Sequence, residues 1–379
     1  MADAEKYGGV AYGRLMAETA NNEMHAKLEA ADGIALEMEQ RIDDLLEGAA
    51  DDLDLDPVHT FPRIDGISMK LRELSDCCPM HQCFGHLAVL GLKPLLRAKL
   101  LPYQFASIPG KGQVALKRQV QRWLRREKLG ICHAVKLDVK SAYKNTKHEL
   151  VMKILQREIP GAGWLLAVVK CLLDMAPHDG LLIGGYLEAW LFNLVASYLL
   201  RQLMSYTKTR RNVTVRLVTR CASYADDIAM FGRRWADIQS AARKITRWAR
   251  DKLGLTIKDT WKRTDLLSVQ QERTRRHLTG AAKGCPGFDM AGFVMHRTYT
   301  TVRRAIFKRL RRQYLRAAVN LKQRGQVPLY RSYKLVSYNG YFTGTKTRGA
   351  AETLDQPHLF KAARWAVAAA ARKKGAGLA

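Results

Sequence analysis

Apolar side chains recur every three to four residues from about residue 12 to 50, at Leu15, Met16, Leu28, Ile34, Leu36, Met38, Ile42, Leu45 and Leu46, with acidic residues between them. That period predicts amphipathic helix, so an acidic helical extension opens the chain. The Asp-rich stretch from Asp51 to Pro57 reads as a linker. A short strand is expected around Ile67 to Leu74, with helical stretches on either side of the loop Ser107-Ile108-Pro109-Gly110-Lys111-Gly112. The apolar run Cys132 to Leu137 reads as a strand that ends at Asp138. Helices are predicted from Lys147 to Glu158, from Trp164 to Met175, and after Gly185. Val213 to Ser223 alternates like a strand, Tyr224-Ala225-Asp226-Asp227 is its turn, and Ile228 to Phe231 is its return partner. A helix from Ala236 to Lys252 stops at Gly254. Beyond Phe288 the pattern gives a strand pair near Phe293, a basic helix from Thr301 to Lys322 and an Ala-rich basic helical tail, with residues 376–379 expected to be disordered. The alternation of strands and helices predicts an α+β fold with carboxylates at strand ends.

Charge narrows the partners. The chain has 379 residues with 63 Lys and Arg against 35 Asp and Glu, a formal net charge of +28. Residues 1–60 are acidic, so the body that follows is more basic still. Lys and Arg recur almost everywhere after residue 63, as a long nucleic-acid channel requires, whereas a membrane-surface protein concentrates its charge on one helix or tail. Seven cysteines in no regular framework and the absence of a leading signal segment point to a reduced, cytoplasmic protein. Leu181 to Leu200 is apolar enough to raise a membrane span, but Glu188, Gly184-Gly185 and Asn193 favour a buried helix and no membrane partner. Cys77, Cys78, His81, Cys83 and His86 raise zinc, yet the interleaved Met80, Phe84, Leu87 and Val89 read as a core helix.

Two adjacent carboxylates on a tight turn repel one another, so Asp226-Asp227 suits a hard cation. Asp-Asp pairs also occur in ordinary surface turns, and a strand-terminal Asp is an ordinary helix cap. If the strand ending at Asp138 lies beside the turn, three carboxylates converge. Two Mg²⁺ ions need such a donor set to activate a hydroxyl and stabilise in-line phosphoryl transfer.

The ordered segments resemble a prokaryotic reverse transcriptase, closest to those of diversity-generating retroelements and related phage-defence enzymes, over about residues 64–345. Lys70-Leu71-Arg72-Glu73-Leu74 resembles the fingers strand that holds the incoming triphosphate, and Ser107 to Gly112 resembles the Gly-Lys-Gly loop. Lys136 to Tyr143 resembles the first catalytic motif, and Gly180 to Trp190 with Asn193 resembles the motif that opens the helix beneath template and nucleotide. Glu188-Ala189 replaces the family's usual Ser-Gln pair. Tyr224 to Asp227 matches tyrosine-x-Asp-Asp, Met290-Ala291-Gly292-Phe293 resembles the primer grip, and Thr301 to Lys322 resembles the thumb helix. Either Lys258 or Lys262 falls where the family supplies a lysine near the leaving pyrophosphate.

The resemblance implies a right-hand polymerase: an N-terminal helical extension over residues 1–60, fingers over 61–130, palm over 131–295, and a basic thumb and tail over 296–379. It implies RNA-directed DNA synthesis. Asp138, Asp226 and Asp227 would be catalytic and, with Val139, hold two Mg²⁺, for which Mn²⁺ can substitute. Lys70, Arg72, Tyr143, Gly184 and Glu188 would bind the deoxynucleoside triphosphate, with Tyr143 as the ring that blocks a ribose 2′ hydroxyl. Lys111, Tyr224, Gly292, Phe293, Arg303, Arg304 and Arg311 would hold the RNA template and the DNA or RNA primer, with Arg309 and Arg312 also on the thumb helix. A retroelement enzyme would work with a small basic accessory protein, and a defence enzyme with a non-coding RNA or a protein primer. The alternative from another class is a catalytically silent RNA-binding protein.

Overall fold

The computed structural model describes residues 22–64, 71–279 and 285–376. The fold is α+β, with helices packed around small antiparallel sheets. Helix α1 (Asn22–Glu47) leads into a hairpin of β1 (His59–Ile64) and β2 (Leu71–Asp76). Helices α2 (Pro79–Lys99) and α3 (Gln113–Arg125) flank the Ser107 loop, as expected. Then follow β3 (His133–Asp138), the single turn α4 (Ala142–Asn145), α5 (His148–Glu158), α6 (Gly163–Asp174) and α7 (Tyr186–Ser205). The stretch read as one strand, Val213 to Ser223, is divided. A separate hairpin of β4 (Thr207–Arg210) and β5 (Val213–Arg216) precedes β6 (Arg220–Tyr224), which pairs instead with β7 (Asp227–Gly232). Helix α8 (Trp235–Leu253) ends at Gly254, whose φ of 63° makes the left-handed cap that glycine adopts without strain.

The last third holds β8 (Arg263–Asp265), α9 (Val269–Thr279), a three-stranded sheet of β9 (Phe288–Met290), β10 (Phe293–Met295) and β11 (Thr300–Val302), and helices α10 (Arg304–Arg324), α11 (Leu329–Asn339), α12 (Arg348–Thr353) and α13 (Gln356–Ala376). Thr301 therefore belongs to a strand, and the basic helix starts three residues later.

The central sheet runs β6-β7-β3-β8. Its period of two separates two cores. Val135, Leu137, Ile228 and Met230 face α7 and α8, while Ala134, Ala229 and Phe231 face the other side with α3, the β9–β11 sheet and α10. Helix α7 is buried nearly all round, which explains its membrane-like composition. Among the described residues, no helix is long and apolar enough to cross a membrane. Of the cysteines and histidines near residue 80, His81 and His86 are buried on α2, while Cys77, Cys78 and Cys83 are half-buried; Cys78 caps the helix by accepting from the His81 amide, and His86 stacks on Tyr186 at 3.7 Å.

The segment expected to be a linker is docked. Leu53 is 1% exposed, and Met38, Ile42, Leu45 and Leu55 pack on the same core, where α1 lies against α6. The described part of the acidic extension is thus held by apolar contact from Met38 onward.

Candidate active site

Strand β3 pairs antiparallel with β7, and the last rung of that ladder is Asp138 opposite Asp227. Alternation puts Lys136 and Asp138 on the face opposite to the buried Val135 and Leu137. Asp226 occupies the two-residue turn between β6 and β7, and its carbonyl accepts from the Val139 amide at 3.1 Å. Ala225, the other turn residue, has φ of 50°. A left-handed residue other than glycine costs roughly 1 kcal/mol, so surrounding structure holds this turn against strain. Val139 has its side chain buried at 2% exposure, so only its backbone is available to the site.

Lys136 Nζ lies 3.0 Å from Asp227 Oδ1 and donates to Oδ2 at 3.2 Å. Lys258 Nζ lies 2.7 Å from Asp138 Oδ1. That second contact is an ion pair without hydrogen-bond alignment, which leaves Oδ1 buried and without a hydrogen-bond partner. Burial raises the Asp227 carboxyl above its ordinary range; Lys136 opposes the shift, and the charges of Asp226 and Asp138 add to it. The all-oxygen donor set suits a hard divalent cation, which would take the place the two lysine ammoniums now hold beside the carboxylates. As the side chains stand, among the described residues no three metal-ligating groups close into a cluster. The lysine ammoniums supply the positive charge at two of the carboxylates.

Lys258 reaches this point because its strand segment bridges β3: Val139 pairs with Ile257, and the Lys258 amide donates to Asp138 O at 2.9 Å. Lys262 is exposed, so of the two candidate lysines Lys258 stands at the carboxylates.

The carboxylates open into a cavity of about 820 Å³. Arg72, Tyr143, Gly184, Tyr224, Gly292 and Arg303 all line it, so six positions chosen from separate motifs come together. Tyr143 stacks on Phe192 with centroids 5.0 Å apart, and burial pushes its hydroxyl up to about 12. Gly184 takes φ of 111°, and Gly292 takes φ of 83° in the β9–β10 turn. A Cβ on Gly292 would also sit 2.7 Å from Ile306 and Tyr341.

The sequence matches no protein-family model and no curated protein.

Several of the expected residues sit away from the cavity or turn from it. Lys111 turns inward, donating to the carbonyls of Leu101 at 3.3 Å and Pro102 at 3.2 Å, so it shapes its own loop and does not line the cavity. The Phe293 ring is fully buried against Tyr341 and under Lys117, where it anchors the hairpin from behind. Arg303 lines the cavity but is held by Asp289, at 2.9 Å from both carboxylate oxygens. Arg304 and Arg311 are exposed and do not line the cavity. At roughly 100° per residue they point about 140° and 160° away from Arg309, which does line it. Arg312 and Arg316 lie within roughly 60° of Arg309 and share its side. Glu188 is 2% exposed and sits behind Gly185, lining a neighbouring cleft with Cys77 and His81. Burial pushes its carboxyl up to about 7. Lys70 lies outside the described residues, as do residues 377–379.

Sequence reasoning passed over Lys136 and Tyr341. Lys136 was available from the period of two, since it stands two residues before Asp138 on the same face. Tyr341 follows α11 and reaches the cavity only through tertiary packing.

Proposed function

We propose that this protein is an RNA-directed DNA polymerase, similar to prokaryotic reverse transcriptases, with the β1–β2 hairpin, α2 and α3 as fingers, the central sheet as palm and α10–α13 as thumb. The observation that supports it most is the final rung of β3 and β7: Asp138 faces Asp227, with Asp226 in the adjoining turn, at the floor of a cavity walled by the fingers hairpin and the Gly292 turn.

Asp138, Asp226 and Asp227, with the Val139 backbone, would hold two Mg²⁺ ions, which activate the attacking hydroxyl and stabilise charge on the transferring phosphoryl group when bound. Arg72 and Lys258 bring positive charge to the triphosphate side. The Tyr143 ring, fixed by Phe192, excludes a ribose 2′ hydroxyl. The glycines at 184 and 292 allow backbone to approach nucleotide and primer where a side chain would collide. Arg309, Arg312 and Arg316 follow the duplex backbone away from the cavity.

The setting we assign is a diversity-generating retroelement, with anti-phage defence as the alternative; sequencing nucleic acid that co-purifies with the protein separates them. Purified protein with Mg²⁺, a primed RNA and four deoxynucleotides should make complementary DNA; no extension on any primed RNA refutes the proposal. One observation favours a second reading, a silent RNA-binding protein: Lys136 and Lys258 already neutralise two of the carboxylates. Mn²⁺ titration separates the two, since a silent scaffold binds no metal there.

A further inference from the structure

Helices α5 and α8 enclose a second cleft, of about 620 Å³, that shares no residue with the catalytic cavity. Five cations line it: Lys147, Lys153, Arg157, Arg250 and Lys252. Only two carboxylates, Glu149 and Asp251, oppose them in the lining. Lys147, Arg157 and Arg250 are engaged by Asp179, Glu158 and Asp251 respectively. Lys153 and Lys252 make no ion pair among the described residues, and both are exposed.

The walls are aromatic as well as basic. Trp248 is partly buried against the core and lines the cleft, and Tyr198 stands opposite with Arg157 over its ring at 5.3 Å. The approach is basic too. Arg243, Arg247 and Arg250 are all exposed at the i, i+4, i+7 spacing that puts them on one face of α8. A solvated helix surface ordinarily mixes both signs of charge; this row is all arginine, and it lies beside the cleft, roughly 100° to 160° around α8 from Trp248, with Arg250 alone of the three in the lining. A row of cations beside an aromatic platform is how single-stranded nucleic acid is held without sequence readout, phosphates on the cations and a base on the ring.

We propose that this cleft is a second nucleic-acid site, taking one nucleotide of a single strand with its base against Trp248 and its flanking phosphates on Lys153, Lys252 and Arg250. Polymerisation is not required for such binding, so the inference stands apart from the catalytic reading. In a polymerase the site would grip a part of the RNA that is not being copied.

The test uses the full chain and fluorescence anisotropy with short labelled oligouridylate and oligothymidylate, so that the two arms distinguish an RNA from a DNA occupant. Lys153→Gln/Lys252→Gln should weaken binding of the preferred strand about tenfold and lower the slope of log affinity against log salt by about 1.4. Trp248→Leu, which keeps an apolar side chain on the core, should weaken it roughly tenfold. A strand carrying 4-thiouridine should crosslink to the peptides that hold Tyr198 and Trp248. Arg309→Gln, in the catalytic cavity, should leave the crosslink in place. The proposal is overturned if the double lysine variant binds both oligonucleotides like the parent, if the crosslinks fall elsewhere, or if polyglutamate displaces the strand as well as unlabelled RNA does. The last result would make the cleft a docking site for acidic protein.

Discussion

Glu188→Gln should make the protein more stable at neutral pH than the parent and leave it little changed in acid. Glu188 is 2% exposed, and burial raises its carboxyl from an ordinary 4.5 to about 7. Below pH 4.5 the side chain is neutral in both folded and unfolded chains, and glutamine is nearly its isostere. Between pH 4.5 and 7 the unfolded chain releases the proton while the folded chain keeps it, so folding becomes less favourable by about 1.4 kcal/mol per pH unit. Above 7 both states are ionised and the penalty is constant, at roughly 3 kcal/mol. Spread over a chain of 379 residues, that is a rise of about 4 °C in the midpoint of unfolding for the variant. Thermal unfolding followed by circular dichroism at about pH 5 and pH 8 reads the difference directly. Parallel curves for parent and variant across that range would mean that Glu188 ionises alike in the folded and unfolded chains. Cys77 is pushed up to about 11, mainly by burial, with the Glu188 charge next, so its alkylation by a thiol reagent offers a second readout of the same site.

Other substitutions test other parts of the account. Tyr143→Ala should raise ribonucleotide use relative to deoxynucleotide roughly 10- to 100-fold in primer extension, and an unchanged ratio would remove the tyrosine from sugar selection. Gly292→Ala should lower stability by about 1–3 kcal/mol and weaken primer use, since φ of 83° and 2.7 Å approaches to Ile306 and Tyr341 leave no room for a methyl group. Leu53→Ala should cost about 3 kcal/mol in denaturant unfolding, with little dependence on salt, because the extension is held by apolar packing; a strongly salt-dependent loss would point to ionic docking.

Much of the fold was readable where one period dominates a segment. The β3 strand ending at Asp138, the two-residue turn at Asp226, and helices α5, α6 and α8 follow from alternation, tight-turn chemistry and a Gly cap. Short elements with polar faces were not readable. Strand β8, Arg-Thr-Asp, has no apolar pattern and exists through pairing with β3. The β4–β5 turn at Arg211-Asn212 has φ of 49° and 60° without the glycine that normally announces such a turn. For the site, the sequence could supply residue types and strand faces but not depth. Glu188 and Phe293 sit at motif positions beside the cavity yet are enclosed by neighbours distant in sequence. Arg304 and Arg311 differ from Arg309 only by rotation about α10, which is legible once one cavity-facing residue is fixed.

On the proposed function, the Asp138, Asp226 and Asp227 carboxylates drive DNA synthesis on RNA. Single-turnover extension of a primed RNA by Asp226→Ala, with duplex affinity measured in parallel, tests it most directly. Extension should fall by about a thousandfold or more with the duplex still bound; extension at the parental rate would mean that these carboxylates do not carry the reaction.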